Sequence, residues 1–398
     1  MTITAEMLKK AADEVMAETI AIRRHLHRNP ELSGQEEQTA RFVAEQCKKL
    51  GCDVRENIGG HGILAKLPPY GTGETILLRA DMDALPIQDE KQCDYASTID
   101  GISHSCGHDV HTAILLGTIM LLCKFPAELP YNIAALFQPA EEITEGAAAM
   151  LKDSVLEGID AQRIYALHVY PYLPTGTIGL KSGVMCAAAD MFEVEITGRG
   201  GHAARPHECV DVILIASHII QALHHIVSRR VDPMHPAVVT IGRINAGYAA
   251  NVIPEKASFS GTVRSLNVDT HEEIRTRMDH IIRQTAETWG ATASFHMRHA
   301  TPILNNDPDI IEEVRRNISR LSPDTGIIDI EQPSMGGEDF AEFLQHIPGC
   351  LIRLGTGSGP STRYSLHHPC FDIDEEAIRS GILAMATVAT SSIVRKGL

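Results

Sequence analysis

Segments of strand and helix character alternate along the first half of this chain, and one of them, ETILLRADMD at 74–83, is apolar almost throughout. Such a run suits a strand covered on both faces, as in a parallel sheet flanked by helices; a strand with one wet face would alternate polar and apolar residues. Its neighbours agree. GILAKLP (62–68), YNIAALFQ (131–138) and QRIYALH (162–168) also read as strands, and residues 5–28, 36–50, 109–124 and 145–156 read as helices. Asn29-Pro30 separates the first two helices, because proline cannot continue a helix and restricts the residue before it. The pattern predicts an α/β fold with a mostly parallel sheet and flanking helices.

The rhythm changes after about residue 185. ADMFEVEITG (189–198) alternates with period two, 208–230 reads as a long helix, AVVTIGRI (237–244) and ASFSGTVRS (257–265) as strands, 270–289 as a charged amphipathic helix and ATASFHMRH (291–299) as a last strand. The order β-α-β-β-α-β is the ferredoxin-like split unit. From 308 the chain returns to helices, at 308–320, 338–345 and 374–395, around the short strand CLIRLGT (350–356). The smaller α+β unit is therefore expected as an insertion at 186–299, inside a discontinuous domain made of 1–185 and 300–398. With 398 residues, 44% of them hydrophobic, the chain has enough material for two cores.

Thirty-five Lys and Arg against 51 Asp and Glu give a formal charge of -16, which argues against a nucleic-acid or anionic-membrane partner. The apolar stretches fall short of the about 20 residues that a bilayer span needs. The N-terminal segment, with Lys9 and Lys10, lacks the apolar stretch of a secretory signal, so a cytoplasmic address is expected. Nine cysteines, an odd number without a close-set framework, read as reduced thiols. Twenty histidines cluster near 104–111, 202–207 and 367–368, and clumped His, Cys, Asp and Glu suggest a metal site.

The densest cluster is SHSCGHDVHTA (103–113), which sets Cys106, His108, Asp109 and His111 at the start of an expected helix. Thiolate and imidazole suit zinc, with Mn, Co or Ni open where carboxylates dominate. The plain alternative is a helix N-terminus with Asp109 as cap and His111 on a solvated face. In FQPAEEITEG (137–146), Glu141 and Glu142 follow directly on a buried strand. Adjacent residues cannot face one point, so one can bind a metal while the other takes a proton from water whose pKa the metal lowers from about 15.7 to about 7. Alone, the pair would read as acids stabilised by a helix dipole. His168 and either His367 or His368 stand at strand ends, where open α/β sheets collect ligands. One thiolate, three imidazoles and one carboxylate exceed what a single catalytic zinc needs, and two metals fit the count.

The set RRHLHRNPEL (23–32), RADMDALP (79–86), CGHDVHTA (106–113), FQPAEE (137–142), GRGGHAARPH (198–207), NVIPEKASFSGTVR (251–264), MGGEDF (335–340) and HHPCFD (367–372) closely resembles one branch of the aminoacylase/carboxypeptidase metallopeptidase superfamily. That branch holds hippurate hydrolase, N-acyl-amino-acid deacylases and the auxin-conjugate hydrolases. The resemblance runs from about residue 20 to 395. It implies a catalytic domain with two divalent ions (Zn, Mn, Co or Ni) and a smaller domain that serves as dimer contact and lid.

By motif match, the resemblance implies Cys106, His108, Glu142, His168 and His367 as metal ligands, Cys106 bridging both ions, and Glu141 as general base. Where the wider superfamily has a His-x-Asp pair this chain has Asp81-Met82-Asp83, so His108 supplies the imidazole and Asp83 supports a ligand. His202 resembles a histidine that donates to the scissile carbonyl from a neighbouring subunit. Asn251 and Arg264 resemble residues that hold the substrate's carboxylate. Many relatives follow the glutamate pair with glycine; here Ile143 follows it, and Pro369 favours His367 over His368. The implied reaction is hydrolysis of an N-acyl-L-amino acid by a homodimer or higher homo-oligomer, with a dipeptidase or carboxypeptidase as the alternative. A Cys106 nucleophile with His108 or His111 as base, or a non-catalytic sensor of metal or acyl-amino acid, are the remaining readings.

Overall fold

The computed structural model describes residues 3–71 and 73–391. The chain divides into two compact units: Met1–Met185, Asn305–Gln332 and Asp339–Leu398 in the first, Cys186–Leu304 and Pro333–Glu338 in the second. The second unit thus runs past 299, and a short piece of the 333–338 loop joins it.

In the first unit, an eight-stranded sheet runs in the order Asp53–Ile58, Gly62–Lys66, Asn132–Gln138, Glu74–Asp81, Asp160–Pro174, Gly349–Gly357, Thr177–Leu180, Gly326–Asp329. The four middle strands from Asn132–Gln138 to Gly349–Gly357 are mutually parallel. All four read as strands from the sequence, 74–83 among them as covered on both faces, and Gly349–Gly357 is buried at every residue. The antiparallel pairings lie toward the edges. Three edge strands had no sequence signal: DVRENI at 53–58 is polar and mostly exposed, and Thr177–Leu180 and Gly326–Asp329 are four-residue pieces. The strand expected at 162–168 extends to Pro174, because Gly349–Gly357 keeps pairing with it beyond His168.

The helix His108–Leu122 is buried at every position and packs against Ala5–Arg28 and Glu376–Thr390. The approach is close. A Cβ at Gly117 would lie 2.5 Å from Thr19 Oγ1, and one at Gly381 2.5 Å from Ile114 Cδ1. Helix 145–156 shortens to Gly146–Lys152, and residues 392–395 of the last expected helix lie outside the described residues.

The second unit has a four-stranded antiparallel sheet, ordered Ala237–Ala246, Lys256–Ser265, Ala188–Thr197, Thr292–Thr301, with helices Val212–Arg229 and Val268–Thr288. This is the split β-α-β topology read from the sequence. Val212–Arg229 buries Ile215, Ile219, Leu223 and Ile226 at helical spacing, and Val268–Thr288 buries Ile274, Met278 and Ile282. Val212–Arg229 also has the length and mean hydropathy of a membrane span, which the sequence reading had not found, but here that apolar stripe belongs to the unit's own core.

A buried ionic cluster ties the start of His108–Leu122 to its neighbours. Arg23 donates from Nε to Asp109 (2.9 Å), from Nη2 to Asp372 (2.6 Å) and from Nη1 to Glu375 (3.1 Å), and its guanidinium lies over the Tyr95 ring. His27 Nδ1–H donates to the same Asp109 oxygen at 2.7 Å, and Tyr95 donates to Asp372. Three stretches of chain are held by one cation. Replacing Arg23 by Met leaves Asp109 buried without its guanidinium partner; the expected loss is about 3–5 kcal/mol, measurable as a lowered urea midpoint at pH 7.

His104 sits beside this cluster with neither ring nitrogen hydrogen-bonded. Burial, against the opposing pull of Asp109, brings its pKa down to about 4. Below its ordinary value near 6.5 the unfolded chain takes a proton that the native chain refuses, so this stability is complete above that pH and lost as pH falls toward 4. The loss should approach about 3 kcal/mol, and the wild-type protein should lose more stability between pH 7 and 4.5 than His104→Gln does in parallel urea titrations.

Candidate metal centre

Apart from His367, which comes from the loop before Glu376–Thr390, the polar side chains of the site are placed at the ends of parallel strands or at the start of the buried helix. Glu74–Asp81 runs out at Asp81, with Asp83 two residues on; Asn132–Gln138 delivers Glu141 and Glu142 after Pro139-Ala140; His168 lies on Asp160–Pro174. Cys106 precedes Gly107, which caps His108–Leu122 at φ 81°, and a Cβ there would stand 2.6 Å from Val169 Cγ2. Glycine is required on both counts.

Cys106 Sγ lies 3.7 Å from His168 Nε2. His108 Nε2 lies 3.8 Å from Glu142 Oε1 and 3.9 Å from Glu141 Oε2, and His367 Nε2 is 3.5 Å from the same Glu142 oxygen. Two of the donor groups share the thiol, Cys106–His108–His168 and Cys106–Glu142–His367, and another joins His108 to Glu141 and Glu142, each with its atoms within 4.8 Å of one another. A tetrahedral zinc with bonds of about 2.3 Å to sulfur and 2.0 Å to nitrogen would hold those two atoms about 3.5 Å apart, so the Cys106–His168 separation suits a shared ion. His108 Nε2 and Glu142 Oε1 are buried without a hydrogen-bond partner. In a buried site such orphans call for a cation.

The remaining hydrogen bonds aim these donors. Asp83 accepts from His108 Nδ1–H (3.1 Å), from Ser33 (2.6 Å) and from the Glu142 amide (2.9 Å), so one carboxylate orients an imidazole and anchors the glutamate pair. His168 Nδ1–H donates to the Val169 carbonyl at 2.9 Å, which turns Nε2 toward Cys106. His367 adopts φ 65° and its amide donates to Ser105 O, whereas the His368 ring stacks on Tyr364 and accepts from the Cys370 amide.

Two residues of the dense motif do other work. His111 donates from Nδ1 to Asp81 (2.6 Å) and accepts the Val169 amide at Nε2 (2.9 Å), leaving no lone pair for a metal. Asp109 is neither ligand nor cap; it belongs to the Arg23 cluster, and His111 is buried and not on a solvated face. Asp81 is in turn held by Arg79 at 2.7 Å, and Arg79 also donates to Gln138 and Asp339. Sequence reasoning did not single out Arg79; an arginine inside an otherwise apolar strand was the available signal.

His202, Asn251 and Arg264 lie in the second unit. His202 is exposed on the two-residue strand Gly201–His202, paired with Val252–Ile253, and its Nδ1 accepts the Ala204 amide. Asn251 O accepts the Ala203 amide, and Arg264 donates to Met335 O at 2.9 Å.

Burial opposes charge throughout the centre. It weighs against the His108 imidazolium, yet Asp81, Asp83 and Cys106 together hold that pKa well above the usual histidine range. Burial and then Glu142 push the Cys106 thiol well up; burial, His111 and Arg353 push His168 well down. Asp81, also buried, is held low by His108, His111 and Arg79. The buried thiol, imidazoles and glutamate pair are a donor set that suits a divalent cation.

Residues 77–391 match Peptidase family M20/M25/M40. The chain is 42% identical over 359 residues to the N-acetyl-L-cysteine deacetylase of Bacillus subtilis, covering 90% of this chain and 84% of that protein. To thermostable carboxypeptidase 2 of Saccharolobus solfataricus it is 36% identical over 389 residues, 96% and 98% of the two chains. The crystal structure of a dinuclear metal-binding peptidase of the M20 family from Bacillus subtilis superposes with a TM-score of 0.81 at 34% identity, over 95% and 98% of the chains. Motifs, fold and buried donor set thus agree with the match along the chain: it belongs to peptidase family M20/M25/M40.

Proposed function

We propose that this protein is a metal-dependent amidohydrolase that cleaves the amide of N-acyl-L-amino acids. The observation that carries the reading is the pair of donor groups sharing Cys106, with Glu141 beside them and not needed to complete either. Cys106, His108 and His168 would hold one divalent ion, and Cys106, Glu142 and His367 the other. Bound there, Zn, Mn, Co or Ni would acidify water and polarise the acyl carbonyl. Glu141 takes the proton of the attacking water and returns it to the departing amine. His202 is assigned to the developing oxyanion, Asn251 and Arg264 to the substrate's carboxylate.

The second unit is proposed as the dimerisation and lid domain of a homodimer. It carries exposed apolar side chains, Ile213, Leu214, Val238, Ile244 and Tyr248, and its edge strand Ala237–Ala246 is largely exposed, both features that subunit contacts cover. Nine free cysteines support a cytoplasmic location. Cys106 as a nucleophile is disfavoured by its raised pKa, the opposite of what an activated thiol requires.

The likeness to a carboxypeptidase supports a second substrate class, short peptides cut at the carboxyl end, by the same chemistry. A panel of N-acetyl and N-benzoyl amino acids beside dipeptides, assayed for released amine after reconstitution with each metal, separates the two. Glu141→Gln should lower turnover on the order of 10²–10⁴-fold while metal content by elemental analysis stays at two ions. Turnover within about tenfold of wild type would remove Glu141 from the base role. Asp83→Ala, which frees the His108 ring and the Glu142 amide, should weaken metal binding about 10–100-fold in competition with a chelating dye.

A further inference from the structure

Helix Glu37–Lys49 has a glutamate at its N-cap position that does not cap it. Glu36 makes no side-chain bond to its own helix, and its carboxyl is fully buried. Oε1 accepts the Gly34 amide at 2.8 Å and, from far along the chain, the Ala140 amide at 2.8 Å. Oε2 is buried with no hydrogen-bond partner. Burial raises the Glu36 pKa against those amide bonds, so a carboxyl here is unfavourable except for what the two amides secure. Ala140 is the residue that needs securing. It adopts φ 54°, the left-handed region that a residue with a Cβ rarely enters, and it stands immediately before Glu141. Its carbonyl accepts the Glu145 and Gly146 amides at 3.2 Å each, and Glu141 O accepts the Thr144 amide at 2.7 Å. The turn is tight: a Cβ at Gly146 would lie 1.7 Å from Pro139 O. On the other side of Glu141, the Glu142 amide donates to Asp83, to which Ser33 also donates. Residues 33–36 therefore grip the turn at both flanks of Glu141, through Glu36 directly and through Ser33 by way of Asp83.

We propose that Glu36 is a positioning residue for the general base: by holding the Ala140 amide it keeps the left-handed turn that aims the Glu141 carboxylate. The proposal rests on the reading of Glu141 as base, and Glu36 acts through Glu141 alone. The role calls for an acceptor oxygen at that reach and not for a charge. Glutamine therefore serves in place of Glu36, whereas aspartate is a methylene short of Ala140 and methionine offers no acceptor oxygen.

The test compares Glu36→Gln, Glu36→Asp and Glu36→Met in the full-length protein, each alone and combined with Glu141→Gln, reconstituted with whichever of Zn, Mn, Co or Ni best supports amine release. Alone, the Asp and Met substitutions should lower kcat about 10–10²-fold, the cost of a misplaced catalytic group, with KM and metal content unchanged, and the Gln substitution should keep kcat near wild type. Amide hydrogen exchange in the peptide spanning 139–146, read by mass spectrometry, should quicken in the same two variants and stay at the wild-type rate in Glu36→Gln. Combined with Glu141→Gln, neither should cost much further, since the group that Glu36 positions is gone; a merely structural role would give the same loss in both backgrounds. The Asp and Gln variants carry the comparison if Glu36→Met does not fold. Equal losses in both backgrounds, kcat within about twofold of wild type in Glu36→Asp and Glu36→Met, or a raised KM at constant kcat would overturn the proposal. Turnover of Glu141→Gln alone within about tenfold of wild type would instead remove the base reading, and this proposal with it.

Discussion

His108–Leu122 has no solvent-exposed residue, so the polar groups at its start have no water to bind and must be satisfied by protein or by a ligand. Two sets of partners meet there. Arg23 and His27 hydrogen-bond to Asp109, and the chain Asp339–Arg79–Asp81 fixes His111. Among the groups these leave over, His104 and Asp109 Oδ1 stay buried on the Arg23 side, while His108 Nε2 and the side chains facing it form the candidate metal centre.

The contrast between the two sides is electrostatic. Toward Arg23, acid and base are matched within hydrogen-bond distance, and the cluster cross-links helices. Toward Glu142, a buried thiol and two glutamates face one another around imidazoles; Cys106 Sγ meets His168 Nε2 at 3.7 Å, and the imidazole–carboxylate separations of 3.5, 3.8 and 3.9 Å suit atoms arranged around an ion. Structural and candidate catalytic polarity are thus adjacent yet separate.

The sheet core and the split unit were legible because a strand covered on both faces, or one alternating with period two, leaves a mark in composition. Polar edge strands such as Asp53–Ile58 leave none, since pairing there is decided by a neighbour far along the chain. The same distinction applies at the centre. Motif density marked 103–113, but spacing alone does not say which way an imidazole points, and His111 faces Asp81 and the Val169 amide. The separation of His367 from His368 depends on a left-handed residue and an aromatic stack that no local pattern announces.

Val169 contributes to the centre through its backbone: its amide steadies His111 and its carbonyl steadies His168. The aim of these two rings is therefore encoded in strand register, because Asp160–Pro174 pairs with Gly349–Gly357 at His168 and Val169 and with Glu74–Asp81 as far as Ala166. A slip of a single position would turn His168 to the opposite face of the sheet. Fidelity of strand alignment during folding and assembly of the ligand cage are, in this unit, one and the same event.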